Sequence, residues 1–160
     1  MNLLSSSLLC RTVQRSTISL ILVLFSVFGS SKALATAYYV NDAVTNGDVY
    51  ATSVGAPAND GLTPATPKLT VTNLLASYSL TGGDIVYIDT GNYSNYTVTV
   101  TASGTATNPI VFMGSTNFIA GGTVFSRNSA AADAWSMTSV SYVHLLNMTF
   151  RNARDGILLS

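Results

Sequence analysis

The sequence predicts an all-β chain wound as a solenoid, with one α-helix closing its N-terminal end. Three observations predict it. Beyond residue 35 the chain is rich in Thr, Ser, Asn, Gly and Val, and glutamate is absent throughout. β-Branched residues fit a pleated surface, and Asn, Gly and Ser fit tight bends. A single segment, starting near Val71, repeats its apolar residues at the helical period. After Gly83 the pattern becomes period two, with short strands beginning at Ile85, Thr97 and Ile110, 12 and 13 residues apart. An antiparallel sandwich would join such strands through hairpins of about two to five residues. A coil of roughly 20–30 residues made of three short strands fits the spacing better. Each side chain then stacks on its counterpart one turn away, about 4.8 Å distant.

Residues 1–35 read as a secretory signal peptide. Arg11 and Arg15 precede an 11-residue apolar stretch, Ile18 to Phe28, interrupted by Ser19 and Ser26. Ala33-Leu34-Ala35 supplies a small-x-small cleavage site, with Ala35-Thr36-Ala37 as a second candidate. The stretch is short of the ~20 residues a spanning helix needs. Cys10, the sole cysteine, lies inside this segment, so the mature chain carries neither a disulfide framework nor a thiolate site. Without Arg11, Arg15 and Lys32, four basic residues face seven aspartates, a net charge of −3. No basic patch remains to neutralise phosphates, which excludes nucleic acid as a partner, and no membrane contact is expected after signal removal.

The remaining elements follow in order. Ala37-Tyr38-Tyr39-Val40 is an opening strand. Residues 41–67 hold Asn46-Gly47-Asp48, Ala58-Asn59-Asp60-Gly61 and prolines at 57, 64 and 67, which rule out a regular helix or central strand. Thr66-Pro67 is a candidate N-cap and first helical position. Val71, Leu74, Leu75 and Tyr78 then form one apolar helical face, ended by Thr81-Gly82-Gly83. A lone amphipathic helix must cover something apolar. Beyond it, Val86 and Ile88 share one strand face, Gly91 to Asn95 reads as a turn, and Val98 and Val100 point inward. Pro109 leads into Ile110 to Met113, Gly121-Gly122 precedes Thr123 to Phe125, Tyr142 to Leu146 and Met148 to Phe150 flank Asn147, and Ile157 to Leu159 closes the run. Three regions result: residues 1–35 as signal peptide, 36–83 as strand, loop and capping helix, and 84–160 as incomplete first coils. The chain stops at Leu158-Leu159-Ser160 within a coil pattern and shows no C-terminal cap, which predicts a truncated solenoid of about three coils.

These ordered motifs carry a resemblance. YYV, NDGLTPATP, the amphipathic helix, GGDIVYIDTGNY and SGTATNPIVF resemble the opening of the pectate-lyase-like right-handed parallel β-helix proteins, and YVHLLNMTFRN with DGILLS resembles their later coils. The resemblance spans nearly the whole mature chain. It implies a right-handed parallel β-helix whose open end is plugged by Val71, Leu74, Leu75 and Tyr78. For function it implies less, because relatives include lyases, glycosidases, epimerases and non-enzymatic surface proteins.

Candidate chemistry is sparse. His144, between Val143 and Leu145, points outward if those two point inward. An exposed imidazole can serve as acid, base or ligand, but no second His, Glu or nearby Cys accompanies it, and a plain surface residue is the simpler reading. Arg151 and Arg154, with Asp155, would neutralise a uronate beside an abstracted proton. The simpler reading is a solvated turn with an ion pair worth at most about 1 kcal/mol. Asp42, Asp48 and Asp60 offer hard oxygen ligands for Ca2+, in no EF-hand spacing, and Asp also bonds its own backbone in turns. Asp84 and Asp89 flank a strand as turn caps. Tyr93, Tyr96 and Trp135 offer faces for sugar stacking or for packing. Asn92, Asn95 and Asn147 stand in Asn-x-Ser/Thr patterns, which recur by chance in an Asn/Thr-rich chain. No carboxylate pair for glycoside hydrolysis is recognisable. The expected function is the N-terminal part of a secreted or cell-surface β-helix protein with a polysaccharide-binding or structural role. The alternative is the inactive start of a polysaccharide lyase or glycoside hydrolase acting on an acidic polysaccharide.

Overall fold

The computed structural model describes residues 34–160. Residues 1–33, which hold nearly all of the predicted signal peptide, lie outside the described residues. Leu34–Ser160 form one unit, built mainly of short parallel strands. In chain order these are β1 (Ala37–Val40), helix α1 (Val71–Ser77), β2 (Ile85–Ile88), β3 (Gly91–Ser94), β4 (Val98–Val100) and β5 (Ile110–Gly114). A 3-10 turn (Phe118–Ala120) follows, then β6 (Thr123–Ser129), β7 (Trp135–Met137), β8 (Val143–Leu146), β9 (Met148–Ala153) and β10 (Ile157–Leu159).

The strands form three sheets, β1-β2-β5-β8, β3-β6-β9 and β4-β7-β10, and every pair is parallel. From β2 onward each set of three consecutive strands visits the three sheets in turn and then returns to the first. Ile85 pairs with Val111, 26 residues on, close to the 25-residue return that the spacing predicts. The route differs from the expectation, however. Gly91 to Asn95 is not merely a turn: Gly91–Ser94 is strand β3, because Tyr93 turns inward, 3% exposed, and stacks on Phe125 with ring centroids 5.3 Å apart. Trp135–Met137 is a further strand without a sequence expectation.

The inward positions make one core. Val86, Ile88, Val98, Val100, Ile110, Phe112, Phe125 and Trp135 are all buried. Each large apolar side chain so buried contributes roughly 1.5–3 kcal/mol. Strands of three to seven residues suffice because each is paired on one or both sides along the stack.

Helix α1 begins later and ends earlier than predicted. Its N-cap is Thr70, whose hydroxyl accepts from the Asn73 N–H at 3.0 Å, and its C-cap is Tyr78. Thr66-Pro67 does not start it. That stretch instead closes a turn, Thr66 N–H on the Thr63 carbonyl (3.1 Å), and Lys68 then bridges to Val40, closing the free edge of β1 through Lys68 N–H to the Tyr39 carbonyl (2.9 Å) and Asn41 N–H to the Lys68 carbonyl (2.9 Å). The predicted apolar face is correct in kind. Val71 and Leu74 are fully buried, Leu75 and Tyr78 pack against the core, and Tyr78 lies 5.0 Å from Tyr38. The helix packs on β4, the first strand of its sheet.

Residues 41–68 are irregular but tightly bonded. Asp89, fully buried, accepts the N–H groups of Val49 (2.7 Å), Tyr50 (2.7 Å), Ala51 (2.6 Å) and Thr90 (2.8 Å). Asp84 accepts from Thr36 and Thr81. Both aspartates therefore cap turns as the sequence suggests. Gly55 passes directly against the Asn41 carbonyl, where a Cβ would collide with it. At the corner between the second and third sheets, Asn95, Asn128 and Asn152 adopt left-handed backbone (φ 70°, 53° and 55°), which Asn tolerates better than most residues. Their amides join turn to turn: Asn128 donates to Asn95 at 3.1 Å and Asn152 to Asn128 at 3.4 Å.

Candidate functional site

The outward face of the first sheet gathers the most distinctive surface. Strand alternation sends Tyr38, Val40, Val86, Ile88, Ile110 and Phe112 inward and their neighbours outward. Two outward rows result from the register. One runs Ala37, Ile85, Val111, His144, and the other runs Tyr39, Tyr87, Met113, Leu146. Tyr39 and Tyr87 stack at 5.5 Å with planes 24° apart, and Tyr50 leans on Tyr87 at 4.9 Å. The Tyr50 hydroxyl donates to the Gly114 carbonyl at 3.1 Å, which fixes the long loop over this sheet. Burial, and secondarily the nearby Asp89 carboxylate, push the Tyr50 phenol pKa up. The tyrosines are half-buried, so their rings are held in place while part of each meets solvent. Aromatic faces of this kind take the C–H face of a sugar ring.

His144 is exposed on β8 and points outward, as the alternation requires. It shares a row with aliphatic residues and stands on a different sheet from Arg151, which is on β9. The structure does not bring these two together. Arg151 is exposed and bonds no described side chain. Arg154 is fixed elsewhere: its guanidinium forks onto Asp133 (Nε 3.0 Å, Nη2 2.8 Å) and reaches Asp155 at 3.2 Å. Asp133 first, then Asp155, hold its pKa up. Its Nε and Nη2 are held in a corner ion pair.

The three calcium candidates are already engaged. Asp42 accepts the Val44 N–H at 2.8 Å, Asp48 accepts the Asn41 amide at 2.6 Å, and Asp60 accepts the Thr66 hydroxyl at 2.6 Å and the Leu62 N–H at 3.1 Å. The Thr66 hydroxyl bond, then the Leu62 N–H, lower the Asp60 pKa. Among the described residues no group of three or more His, Cys, Asp or Glu side chains surrounds a common point. Of the suggested stacking faces, Trp135 and Tyr93 are buried and unavailable, and Tyr96 is mostly covered. Trp135 and Tyr93 point along the inward rows, and Tyr96 packs against the core with part of its ring lining a surface cleft. Three tyrosines gathered on the outer face of the first sheet, Tyr39, Tyr50 and Tyr87, were not singled out by the sequence. The usable signal was the alignment of Ala37-Tyr38-Tyr39-Val40 on Ile85-Val86-Tyr87-Ile88, which places an outward Tyr at the third position of both strands.

Among the described residues no helix is long and apolar enough to cross a membrane. A scan against protein-family models finds no match, and a search of curated proteins finds none either. The functional reading therefore rests on the geometry above.

Proposed function

We propose that the chain is the N-terminal part of an exported right-handed parallel β-helix protein of the pectate-lyase-like kind. In this reading it associates with polysaccharide through the outer face of its first sheet and does no chemistry on it. The cyclic visiting of three parallel sheets, with α1 seated on the first strands, supports the coiled architecture. Arg11, Arg15, the apolar stretch and the Ala33-Leu34-Ala35 site support export.

The observation that carries the binding role is the outward tyrosine row, Tyr39 on Tyr87 with Tyr50 beside it. Prepositioned rings bind at low entropic cost because little side-chain freedom is left to lose. Against catalysis stand the separation of His144 and Arg151 on different sheets and the engagement of Arg154 by two carboxylates, which leave no set of acid, base and charge-stabilising groups converging on one point.

Affinity electrophoresis of the chain through gels containing neutral or acidic polysaccharides tests this. Retardation is expected, and a Tyr39→Ala/Tyr87→Ala variant should weaken it about five- to a hundredfold. That estimate takes roughly 0.5–1.5 kcal/mol per ring, with 1.4 kcal/mol per decade. The unsaturated-uronate absorbance should stay flat with acidic polymers. Migration unaffected by every polymer would overturn the binding role, and a rising absorbance would overturn the non-catalytic one.

A further inference from the structure

At the helix-capped end three strands have no strand neighbour on one side: β1, β3 and β4. The edge of β1 is closed by loop backbone, with Tyr39 N–H on the Gly61 carbonyl (2.8 Å) and Lys68 N–H on the Tyr39 carbonyl (2.9 Å). The edge of β4 lies under α1. The edge of β3 is open. Gly91 and Asn95 donate across to the Gly122 and Ser126 carbonyls, both at 3.1 Å. By alternation, Asn92 and Ser94 turn their backbone groups the other way. The Asn92 N–H finds only a long 3.4 Å contact to Asp42 Oδ2, and the Ser94 N–H has no acceptor among the described residues. These groups open into a cleft of about 290 Å3, lined by Asp42, Leu69, Thr70, Asn92, Ser94 and Tyr96 among others. Part of the Tyr96 ring forms its wall, while the Tyr96 hydroxyl is buried away from the cleft surface. A strand edge that no strand, loop or helix covers leaves backbone donors and acceptors free for a ligand.

We propose that this cleft is a subsite for one neutral pyranose ring, a second point of attachment for the glycan that the tyrosine row holds. The inference rests on the glycan-associated reading above. Sugar hydroxyls both donate and accept, and the cleft offers both. Asp42 accepts, the Ser94 N–H and the exposed Asn92 amide donate, and the Leu69 side chain and Tyr96 ring supply an apolar wall. The volume suits one ring. An extended peptide added to β3 would find only two residues with free backbone groups, too few for a register. The Asp42 carboxylate sets the sugar class, because a uronate or sulfated ring would bring like charge against it. This is the reverse of what Arg151 and Arg154 suggested from sequence.

Isothermal titration of the chain with cellohexaose, mannohexaose, maltohexaose and hexagalacturonate tests the proposal. At least one neutral hexaose should bind more tightly than hexagalacturonate. Ala43→Trp, which fills the cleft from an exposed rim position, should weaken that binding about tenfold at unchanged Tm, and Asn92→Ala should weaken it in the same direction. The Tyr39→Ala/Tyr87→Ala variant should lose polymer retardation yet keep the effect of Ala43→Trp on the hexaose, which separates the two sites. Hexaose affinity untouched by both Ala43→Trp and Asn92→Ala would overturn the cleft alone. Cleft-dependent preference for hexagalacturonate, or no neutral hexaose bound at all, would also overturn it.

Discussion

Asp48 shows how one residue ties the long loop to the sheets. The fully buried Asn41 side chain donates to the Asp48 carboxylate (2.6 Å), the Ser53 carbonyl (2.9 Å) and the Val44 carbonyl (3.3 Å). The other Asp48 oxygen, Oδ1, is buried without a partner. Burial pushes the Asp48 pKa up to about 6; the Asn41 bond opposes this, and the Asp89 and Asp42 charges add to it. A carboxyl whose folded pKa exceeds its unfolded value of ~3.9 favours folding when protonated. Its stabilising contribution is complete below about pH 4 and disappears as pH rises through about 6. Asp48→Asn keeps the shape and stays neutral. At pH 8 the variant should therefore be more stable than the parent, on the order of 1 kcal/mol once solvent screening of this partly exposed group is allowed for. The difference should close toward pH 4. Thermal melts of both proteins across that range check it, and parallel curves would refute it. The orphaned oxygen was not legible in the sequence. Asp48 read as one more turn aspartate beside Asn46-Gly47, and only the folded loop sets Asp42 and Asp89 near it.

At the scale of elements, α1 buries an apolar face with seven residues. So short a helix is not stable alone, and its stability comes from the face it buries. Leu74 lies at the centre of that face and contacts the Gly61 turn, while Tyr78 reaches Tyr38. Leu74→Asp places an unpaired carboxylate there and should cost several kcal/mol, against roughly 2–5 kcal/mol for Leu74→Ala. Ser77→Asp, on the exposed side, should be nearly neutral. Denaturant titrations rank the three, and equal midpoints for Leu74→Asp and the parent would show that the helix seals nothing. This face was readable from the spacing of Val71, Leu74, Leu75 and Tyr78, but its limits were not. Thr66-Pro67 carries a better start signal than Thr70, and tertiary pairing of Lys68 with Val40 overrode it. Strands β3 and β7 escaped for a related reason. Gly91-Asn92-Tyr93-Ser94 is too polar to show a period, and Trp135-Ser136-Met137 alternates over only three residues between polar, Ala-rich flanks; both become strands because β6 and β4 offer them partners. The outward tyrosine row escaped because alternation in a single strand does not say which residues of distant strands align.

Across the whole molecule, one side chain connects the three sheets. Trp135, the only tryptophan, comes from β7 and is fully buried. Its indole meets Phe112 of β5 edge-on at 5.0 Å, Phe125 of β6 at 5.2 Å and Phe150 of β9 at 6.1 Å. In the coiled architecture proposed for this chain, where each turn touches only its neighbours, stability would be close to a sum of local terms. A residue shared by all three sheets instead makes a turn cooperate internally. Trp135→Ala opens a cavity against every sheet and should cost about 3–5 kcal/mol. Trp135→Phe keeps a ring and removes the indole N–H, which is buried without a partner, so part of its packing loss is offset by about 1–3 kcal/mol of relieved desolvation. It should therefore be the milder change. Amide exchange shows whether the coupling is real. In Trp135→Ala, protection at Val111 to Met113 in the first sheet and at Val124 and Phe125 in the second should fall together with that of Trp135's own strand. If only β4, β7 and β10 lost protection, the sheets would be separate modules, and the shared aromatic cluster would be packing without coupling.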